Sequence, residues 1–418
     1  MASHDLTTGA SSGLSIETKS IHAGEPRPRP AGAVVMPIYQ SSTYEYTGAT
    51  DYHDVKYIRL NNNPNQLALN AKIAAIENAE AALVAASGMA AISTALLTVL
   101  SSGDHLVALD CLYGGTHGFV TKDLPSFGIT HTLVNGNSAE AWQAALRPNT
   151  KAFYVETLTN PLLQMADLKG IVEFARAHKL VTLIDNTFAS PVNFRPAERG
   201  FDITLESCTK YLNGHNDIVA GAAAGRADLI EAMKRRLDHL GGTLDPHACF
   251  LLHRGLKTLA VRVWHQNESA LRIVEFLHKH AAVSKVNYPG LAEHPQHARA
   301  AELFHVNLPP QRQRSLPPYR GGTQGGGFGG MISFELHGGL PAAEQFLSRT
   351  RLATVAVSLG GVETLVVRPA AAVHSNLSPQ ERAKTGIADG LIRLSVGLEN
   401  TDDLLADFEQ ALAGRAHR

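Results

Sequence analysis

The chain has 418 residues, 44% of them hydrophobic, and its 37 basic and 38 acidic residues give a formal net charge of −1. This length exceeds one ordinary hydrophobic core, so two domains are expected, and the balanced charge argues against nucleic-acid and membrane partners. The three cysteines, Cys111, Cys208 and Cys249, lack C-x-x-C spacing, which indicates neither a disulfide framework nor a zinc site and fits a reducing cytoplasm.

The N-terminal segment predicts little regular structure. Residues 1–17 are rich in Ser, Thr and Gly, which predicts a disordered tail, and they lack the basic start and apolar run of a targeting signal. No stretch of about 18 apolar residues occurs in the chain, so a soluble cytoplasmic protein is expected. From residue 17 to residue 46 the composition predicts an extended loop.

Tyr57 and Arg59 stand two positions apart in KYIRLNNNPNQ. On an extended segment both side chains would point to the same side. A phenol and a guanidinium that face one way suit a phosphate. An aromatic and a charged residue on an ordinary loop is the equally weighted alternative.

A candidate phosphate site follows a predicted core helix. Residues 66–79 carry apolar residues at helical spacing, which predicts a helix that faces the core; these residues are Leu69, Ile73 and Ile76. The sequence then predicts a turn at Ser87, Gly88 and Met89 and a second helix from about Met89. The free amides of a helix start attract anions, although a glycine before a helix is common and proves little alone.

Three apolar runs predict strands, and the helix-like segment at 168–178 between the last two predicts a mostly parallel sheet. The runs are His105 to Leu109, KAFYVETLTNP and LVTLIDNTFASP. Tyr113 follows the first run and Asp185 ends the third, and polar residues at the carboxyl ends of strands form the sites of α/β proteins. A packing role for Tyr113 and a helix-capping role for Asp185 are the alternatives.

Residues 206–221, ESCTKYLNGHNDIVAG, contain the candidate nucleophile Lys210. Lysine condenses with an aldehyde to a Schiff base, the bond that anchors pyridoxal phosphate in proteins. Ser207 and Thr209 flank the lysine with hydroxyls suited to a phosphate, and nearby glycines allow close approach of the backbone. A solvated surface lysine is the alternative for this residue taken alone.

The C-terminal part predicts a smaller α/β domain. Helices are expected through residues 226–265, with a domain boundary near Thr258, and helix-like and strand-like segments then alternate. The helix-like segments are 267–280 and 342–350, and the strand-like segments are 331–336 and 353–359. Residues 306–327 are dense in Pro, Gln, Arg and Gly and predict a loop or disordered insert, which we interpret as a tolerated surface insertion rather than a protein-binding segment.

Arg393 stands in an otherwise apolar strand, GLIRLSVGLEN. An unpaired guanidinium would be unfavourable there, so Arg393 needs an anion, either a ligand or the partner of a structural salt bridge. The motif SLGGVETLVVRP precedes it and contains Ser358, Val367 and Arg368.

The pattern S-x-T-K-Y-x-x-G-H-x-D around Lys210 resembles the signature at the cofactor lysine of the Cys/Met metabolism enzymes that use pyridoxal phosphate. Cystathionine γ-synthase, cystathionine β- and γ-lyase and methionine γ-lyase belong to that family. The similarity runs from about residue 18 to about residue 412 through several motifs in the family's order. It implies the α/β fold-type I pyridoxal-phosphate transferase fold, with a tail and intersubunit arm (1–62), a cofactor-binding domain around a large, mostly parallel sheet (63–258) and a smaller C-terminal α/β domain (259–418).

The resemblance also implies roles for individual residues. Lys210 would carry pyridoxal 5'-phosphate, Asp185 would pair with the pyridine nitrogen, Tyr113 would stack on the ring and transfer a proton, and Asn160 would lie near the 3-hydroxyl. The phosphate would be held by Ser87, Gly88, Met89, Ser207 and Thr209, and by Tyr57 and Arg59 of a neighbouring subunit. Arg393 would bind the substrate α-carboxylate, and Ser358 would help to orient the lysine.

Three positions depart from the family's pattern. The loop after Arg59 is one residue longer than usual, and Gly114 and Gly115 follow Tyr113 where methionine γ-lyases typically carry a cysteine. Val367 stands where γ-lyases often carry a glutamate, which leaves β- versus γ-specificity and the role of Arg368 open.

The expected activity is that of a trans-sulfuration enzyme, a carbon–sulfur lyase that cleaves cystathionine or a related sulfur amino acid. Cystathionine γ-synthase, which joins an O-acylated homoserine to cysteine, is the alternative enzyme, and a non-catalytic cofactor-binding protein is the alternative of another class. The resemblance implies a small-molecule amino-acid substrate and a homotetramer built from dimers with composite active sites. No metal is expected.

Overall fold

The computed structural model describes residues 13–304, 327–372, 380, 382 and 385–413. They form two compact units. The first consists of the described residues within Met1–Asp110, Gly115–Thr157 and Ala166–Ala260, and the second of those within Cys111–Gly114, Leu158–Met165 and Val261–Arg418. Two short segments from the predicted cofactor-binding domain therefore group with the C-terminal part. Packing explains the second of them, because Leu162 forms a buried cluster with Ile387 and Leu391.

The first unit is built on a seven-stranded sheet in the order β1-β7-β6-β5-β4-β2-β3. Its strands are β1 (Ala81–Ala85), β2 (His105–Leu109), β3 (Thr130–Val134), β4 (Thr150–Glu156), β5 (Val181–Asp185), β6 (Ile203–Glu206) and β7 (Gly221–Gly225). Only β7 runs antiparallel to its neighbours, and the other pairs are parallel. The predicted large, mostly parallel sheet is confirmed.

Helices accompany this sheet along the chain. They are α1 (Ile16–His22), α2 (Pro64–Glu77), α3 (Gly88–Val99), α4 (Gly114–Gly118), α5 (Leu124–Ser126), α6 (Ala139–Ala145), α7 (Leu168–Ala177), α8 (Ser190–Asn193), α9 (Ala227–Leu240) and α10 (Pro246–Leu256). Short 3₁₀ turns lie at Pro30–Gly32, Tyr52–Asp54, Ile58–Leu60 and Pro196–Arg199, and a π turn lies at Phe119–Asp123. Helix α2 begins at a capping box between Asn63 and Gln66 and buries its predicted apolar face, which confirms the core helix.

Helix α1 begins at Ile16 and ends at His22. The prediction of a disordered tail is therefore wrong for residues 16 and 17, and the prediction of an extended loop is wrong for residues 17–22. The cause is a tertiary contact that composition does not reveal. The buried Lys72 of α2 donates from Nζ to the main-chain oxygens of Ser20, at 2.9 Å, and Ile21, at 3.2 Å. These carbonyls near the end of α1 thereby obtain the partners that a short helix lacks by itself.

The second unit contains a five-stranded sheet in the order β10-β11-β12-β9-β8. Its strands are β8 (Val283–Asn287), β9 (Met331–Leu336), β10 (Thr354–Val355), β11 (Leu365–Val367) and β12 (Ile392–Ser395), and its helices are α11 (Leu259–Lys279), α12 (His297–Phe304), α13 (Gly339–Arg349) and α14 (Thr401–Leu412). A further 3₁₀ turn lies at Pro369–Ala371. The predicted smaller α/β domain is confirmed by this sheet and its helices.

The strand predicted at 353–359 is wrong beyond Val355. Ser358 has a φ of +87°, a left-handed conformation that cannot continue a strand. Residues 306–326 of the predicted insertion lie outside the described residues. Within the described ranges, no helix is both long enough and apolar enough to cross a membrane.

Candidate active site

Asp185 and the loop of Lys210 lie at the same edge of the large sheet. Asp185 ends β5 and pairs with Leu205 of the parallel strand β6, and β6 ends one residue later at Glu206. Lys210 follows within a tight turn, in which its amide donates to the Ser207 oxygen at 3.0 Å and its own oxygen accepts from the amide of Gly214 at 2.8 Å. The carboxyl ends of two neighbouring parallel strands therefore bring these two segments together.

Thr187 joins the two strand ends, although the sequence analysis did not single it out. Its amide donates to Asp185 Oδ1 at 3.0 Å, and its hydroxyl accepts from the Ser207 amide at 2.8 Å. The first of these contacts is an Asx turn, which an Asp-x-Thr sequence after a strand could have indicated. The side chain of Asp185 thus accepts the hydrogen bond of a turn, and Asp185 is not the N-cap of a long helix.

Burial raises the pKa of Asp185, and the hydrogen bonds from Thr187 offset this only in part. The direction of the shift shows that the surroundings disfavour the ionised carboxylate. A cation placed against this carboxyl would offset that penalty. A protonated ring nitrogen is such a cation.

The start of α3 offers an anion-binding site beside Ser207. The hydroxyl of Ser87 caps the helix by accepting from the Ala90 amide at 3.0 Å, which leaves the Gly88 and Met89 amides at the helix start. A Cβ on Gly88 would lie 2.9 Å from the Cβ of Ser207, so only glycine permits this approach. The helix dipole and the free amides favour a phosphate at this point.

The other glycine and hydroxyl of this region have structural functions. A Cβ on Gly221 would lie 2.1 Å from the main-chain oxygen of Ser87, so β7 can pass the start of α3 only with glycine at this position. Thr209 donates its hydroxyl to the Ala220 oxygen at 3.2 Å and accepts from the Ala220 amide at 3.0 Å. These bonds fix the Lys210 loop to the residue that precedes β7.

The second unit holds Arg393 in a buried and oriented position. Arg393 is 2% exposed, and its Nη1 donates to Asn160 Oδ1 at 3.1 Å while its Nη2 donates to the Ser358 oxygen at 3.0 Å. These two bonds orient the guanidinium. Val367 lies opposite Arg393 on the neighbouring strand. Tyr113 is 40% exposed and belongs to the same unit.

Tyr57 and Arg59 lie together on the N-terminal arm. Tyr57 has an extended backbone and precedes the 3₁₀ turn Ile58–Leu60, which contains Arg59, so the extended segment assumed from the sequence ends at Tyr57. The Arg59 guanidinium lies 5.7 Å from the centre of the Tyr57 ring. It donates to the main-chain oxygen of Asp238 at 2.6 Å and to the hydroxyl of Tyr52 at 2.7 Å. In this chain, therefore, these hydrogen bonds tie Arg59 to the arm and to α9.

Two buried carboxyl groups near Asp185 were also missed. Glu77 is fully buried and Glu206 is 3% exposed, and burial raises the pKa of Glu77 to about 8. The pKa of Glu206 is likewise raised by burial and then by the neighbouring Glu77, while the Asn186 amide donates to its Oε1 at 3.1 Å. The sequence indicates only that Glu206, an acidic residue, ends the apolar strand ITLE; it does not indicate the contact with Glu77.

The comparisons with known proteins agree on one family. The model of the family described as "Cys/Met metabolism PLP-dependent enzyme" matches residues 17–308 and 319–413. The chain is 41% identical over 397 residues to a cystathionine gamma-lyase of Bacillus subtilis, covering 95% of this chain and 98% of the relative. It is 39% identical over 406 residues to an L-methionine gamma-lyase of Porphyromonas gingivalis, covering 94% and 96%. The solved structure of a cystathionine gamma-lyase from Lactobacillus plantarum complexed with L-serine superposes with a TM-score of 0.85 at 38% identity, covering 95% and 98%.

The residues of the first unit fit pyridoxal phosphate. The helix start at Gly88, with Ser207 packed against it, suits the phosphate group, and the two glycine contacts leave room that side chains would fill. The pKa of Asp185 is raised by burial, so a cation beside its carboxyl group would stabilise the ionised form. Lys210 provides a primary amine in the loop after the neighbouring strand β6. Among the described residues, no group of three or more His, Cys, Asp or Glu side chains could hold a metal ion.

Proposed function

The chain belongs to the Cys/Met metabolism PLP-dependent enzyme family, and we propose that it is a carbon–sulfur lyase that cleaves cystathionine or a related sulfur amino acid. Its cofactor is pyridoxal phosphate, as the sequence predicted. The observation that carries the proposal is the shared sheet edge of Asp185 and the Lys210 loop. The names of the similar proteins, lyases of cystathionine and of methionine, support the type of bond that is cleaved.

We assign the cofactor contacts to residues of the first unit. Lys210 would hold the cofactor through its amine and would take the α-proton of the bound substrate. Asp185 would keep the pyridine nitrogen protonated, and Ser87, Gly88, Met89 and Ser207 would bind the phosphate, while Thr209 fixes the loop of Lys210 through its bonds to Ala220. When bound, the cofactor supplies an electron sink for the charge left at the α-carbon.

We assign substrate recognition to Arg393, with its planar fork on the α-carboxylate. Asn160 and the Ser358 main chain orient the guanidinium, so the fork is already positioned when the substrate arrives. In the same proposal Tyr113 would hold the pyridine ring and transfer a proton, Asn160 would bind the 3-hydroxyl, and Ser358 would help to orient Lys210.

The contacts of Arg368 indicate a structural role, which the sequence had left open. Its Nη2 donates to Glu344 at 3.1 Å and its Nη1 donates to the main-chain oxygen of Asp389 at 3.0 Å. We therefore assign Arg368 to a salt bridge that stabilises the second unit. Val367, which lies opposite Arg393 on β11, places an apolar side chain near the proposed carboxylate site.

The proposed assembly is a homotetramer of dimers, in which Tyr57 and Arg59 of one subunit bind the cofactor phosphate of its neighbour. The exposed apolar side chains of the arm, which include Val34, Val35 and Ile38, support a role in contacts between subunits. We also propose that the enzyme works in the cytoplasm.

Product analysis of the purified holoenzyme tests this function. With uptake of one water, cleavage of cystathionine at the γ-carbon releases cysteine, ammonia and 2-oxobutyrate, and cleavage at the β-carbon releases homocysteine, ammonia and pyruvate. The two keto acids therefore distinguish the reactions. L-methionine is assayed in parallel, and Lys210→Ala serves as the inactive control. Cystathionine formation from an O-acylated homoserine and cysteine, without cleavage, would instead identify a cystathionine γ-synthase. Turnover of none of these substrates would favour the non-catalytic protein.

A further inference from the structure

Asp238 is a fully buried carboxylate near the end of α9. Its Oδ2 lies 2.8 Å from Nδ1 of His53 and 3.0 Å from Nζ of Lys234. Its Oδ1 accepts from the side-chain amide of Asn61 at 2.8 Å. Both oxygens are therefore bonded, and two of the three partners belong to the N-terminal arm.

The same residue also holds Arg59. The main-chain oxygen of Asp238 accepts from Arg59 Nη1 at 2.6 Å, and Tyr52 accepts from the other guanidinium nitrogen at 2.7 Å. Lys234, already bonded to the Asp238 carboxylate, donates to the main-chain oxygen of His53 at 3.3 Å. One turn of α9 thus binds the arm at residues 53, 59 and 61.

The arm has little regular structure that could fix these positions without α9. Between residues 51 and 62 it contains only the two 3₁₀ turns Tyr52–Asp54 and Ile58–Leu60. A buried carboxylate is strongly unfavourable unless donors surround it, so the three donors at Asp238 must stay in place together. Such a network specifies one conformation of the segment.

The main chain of the arm has independent attachments. Thr243 donates its hydroxyl to the Arg59 oxygen at 3.0 Å, and the side-chain amide of Gln66 in α2 donates to the Ile58 oxygen at 3.4 Å. Loss of the Asp238 charge would therefore loosen the side chains of the arm without detaching it. A positioning role of Asp238 can therefore be distinguished from a role in folding.

We propose that Asp238 is a positioning residue: it holds residues 52–61, and with them Tyr57 and Arg59, in the conformation that binds the cofactor phosphate of a neighbouring subunit. This inference rests on the composite site proposed above. In this proposal, α9 of the same subunit fixes the conformation of the arm.

The variant that tests it is Asp238→Asn, which keeps the shape and an acceptor for Asn61 and removes the charge that His53 and Lys234 bind. Asp407→Asn is the matched control, because Asp407 is a helical aspartate, only 5% exposed, in the second unit. It accepts from the amides of Arg351, Leu352 and Ala353. Both variants thus remove one buried, bonded charge, but only the first removes it beside the arm.

Two measurements on the holoenzymes are compared. Hydrogen exchange of peptides within 51–62 should become at least about tenfold faster in Asp238→Asn and stay unchanged in Asp407→Asn. The dissociation constant of pyridoxal phosphate, measured by equilibrium dialysis, should rise about tenfold in Asp238→Asn only. Melting temperatures of both variants show how much each loses in overall stability.

The outcomes separate this inference from the proposed function. Unchanged exchange of the arm in Asp238→Asn would overturn the positioning role. Faster exchange with unchanged cofactor affinity would retain Asp238 as the anchor of the arm but would overturn the composite phosphate site, and with it the role proposed here. Equal cofactor loss in both variants would reduce Asp238 to a general stabilising residue and would likewise overturn the proposal.

Discussion

The guanidinium of Arg393 donates a hydrogen bond to the side-chain oxygen of Asn160, with Nη1 and Oδ1 3.1 Å apart. Both residues are buried, with exposures of 2% and 4%. The bond fixes the plane of the guanidinium, and Ser358 fixes it a second time through its main-chain oxygen. The arginine is therefore oriented before any carboxylate binds.

Replacing Arg393 by lysine should weaken substrate binding and leave the cofactor in place. Lysine keeps the charge but loses the planar fork that can bond Asn160 and a carboxylate together. We expect kcat/KM to fall about tenfold to a hundredfold, mainly through KM. The visible absorption of the bound cofactor should remain nearly the same. Arg368→Lys, which changes an arginine bonded to Glu344, is the control and should alter KM little. An unchanged KM in Arg393→Lys would show that Arg393 is only structural.

Gly88→Ala should weaken cofactor binding. The added Cβ would lie 2.9 Å from the Cβ of Ser207, so the helix start and Ser207 must move apart. We expect the cofactor to be bound about tenfold more weakly, because the amides and the hydroxyl no longer converge. Gly118→Ala is the control, since no atom lies within 4 Å of its Cβ position. Equal cofactor retention by the two variants in equilibrium dialysis would remove Gly88 from the phosphate site.

Glu206→Gln should reduce the pH dependence of stability. Glu77 and Glu206 ionise near pH 4.5 when unfolded, whereas burial raises the pKa of Glu77 to about 8 and also raises that of Glu206. Between these values the folded state binds more protons than the unfolded state, so the free energy of unfolding falls as the pH rises from about 4.5 to about 8. The variant removes one of these acids and the repulsion between the two.

The melting temperature at pH 8 relative to pH 5 provides the measurement. We expect Glu206→Gln to be more stable than the parent protein at pH 8, and the difference between the two proteins to be much smaller at pH 5. Glu231→Gln, which changes a carboxylate that is 56% exposed and paired with Arg235, should leave the difference between the two pH values unchanged. A parallel pH dependence for Glu206→Gln and the parent protein would contradict the shared burial of the two acids.

Mixing two inactive variants tests the composite site. Lys210→Ala and Arg59→Ala are unfolded together and refolded, so that each mixed dimer contains one site with both defects and one site with neither. With equal amounts and random pairing, half of the dimers are mixed, so about a quarter of all sites should be native. Each variant refolded alone provides the background, and size measurements show whether mixed dimers formed. No recovery in mixed dimers would place Arg59 outside the neighbouring subunit's site.

Local sequence patterns predicted those strands whose formation depends only on their own residues. Strand β2 spans His105–Leu109 and β9 spans Met331–Leu336, as expected from their apolar runs. The strand expected through Ser358 failed, because its left-handed φ and its bond to Arg393 depend on a residue 35 positions away. Tertiary contacts override local propensity at such positions.

The site was predictable to the extent that single residues carry their own chemistry. Lys210, Asp185 and Arg393 could be proposed from the sequence because an amine, a strand-end carboxylate and a guanidinium in an apolar strand each have a characteristic chemistry. Pairings were not predictable, because Asn160 lies 233 positions from Arg393. Sequence position likewise separates Glu77 from Glu206, and no pattern in either segment indicates their contact.

The most direct test of the account is to identify the residue that carries the cofactor. The purified protein should absorb visible light through its bond to pyridoxal phosphate, and borohydride should reduce that bond and fix the cofactor to the peptide. Mass spectrometry of the digested protein should then find the cofactor on the peptide that contains Lys210, and Lys210→Ala should show none. A modified peptide elsewhere in the chain, or no modification of a visibly coloured protein, would contradict the assignment of Lys210 and the proposed reaction with it.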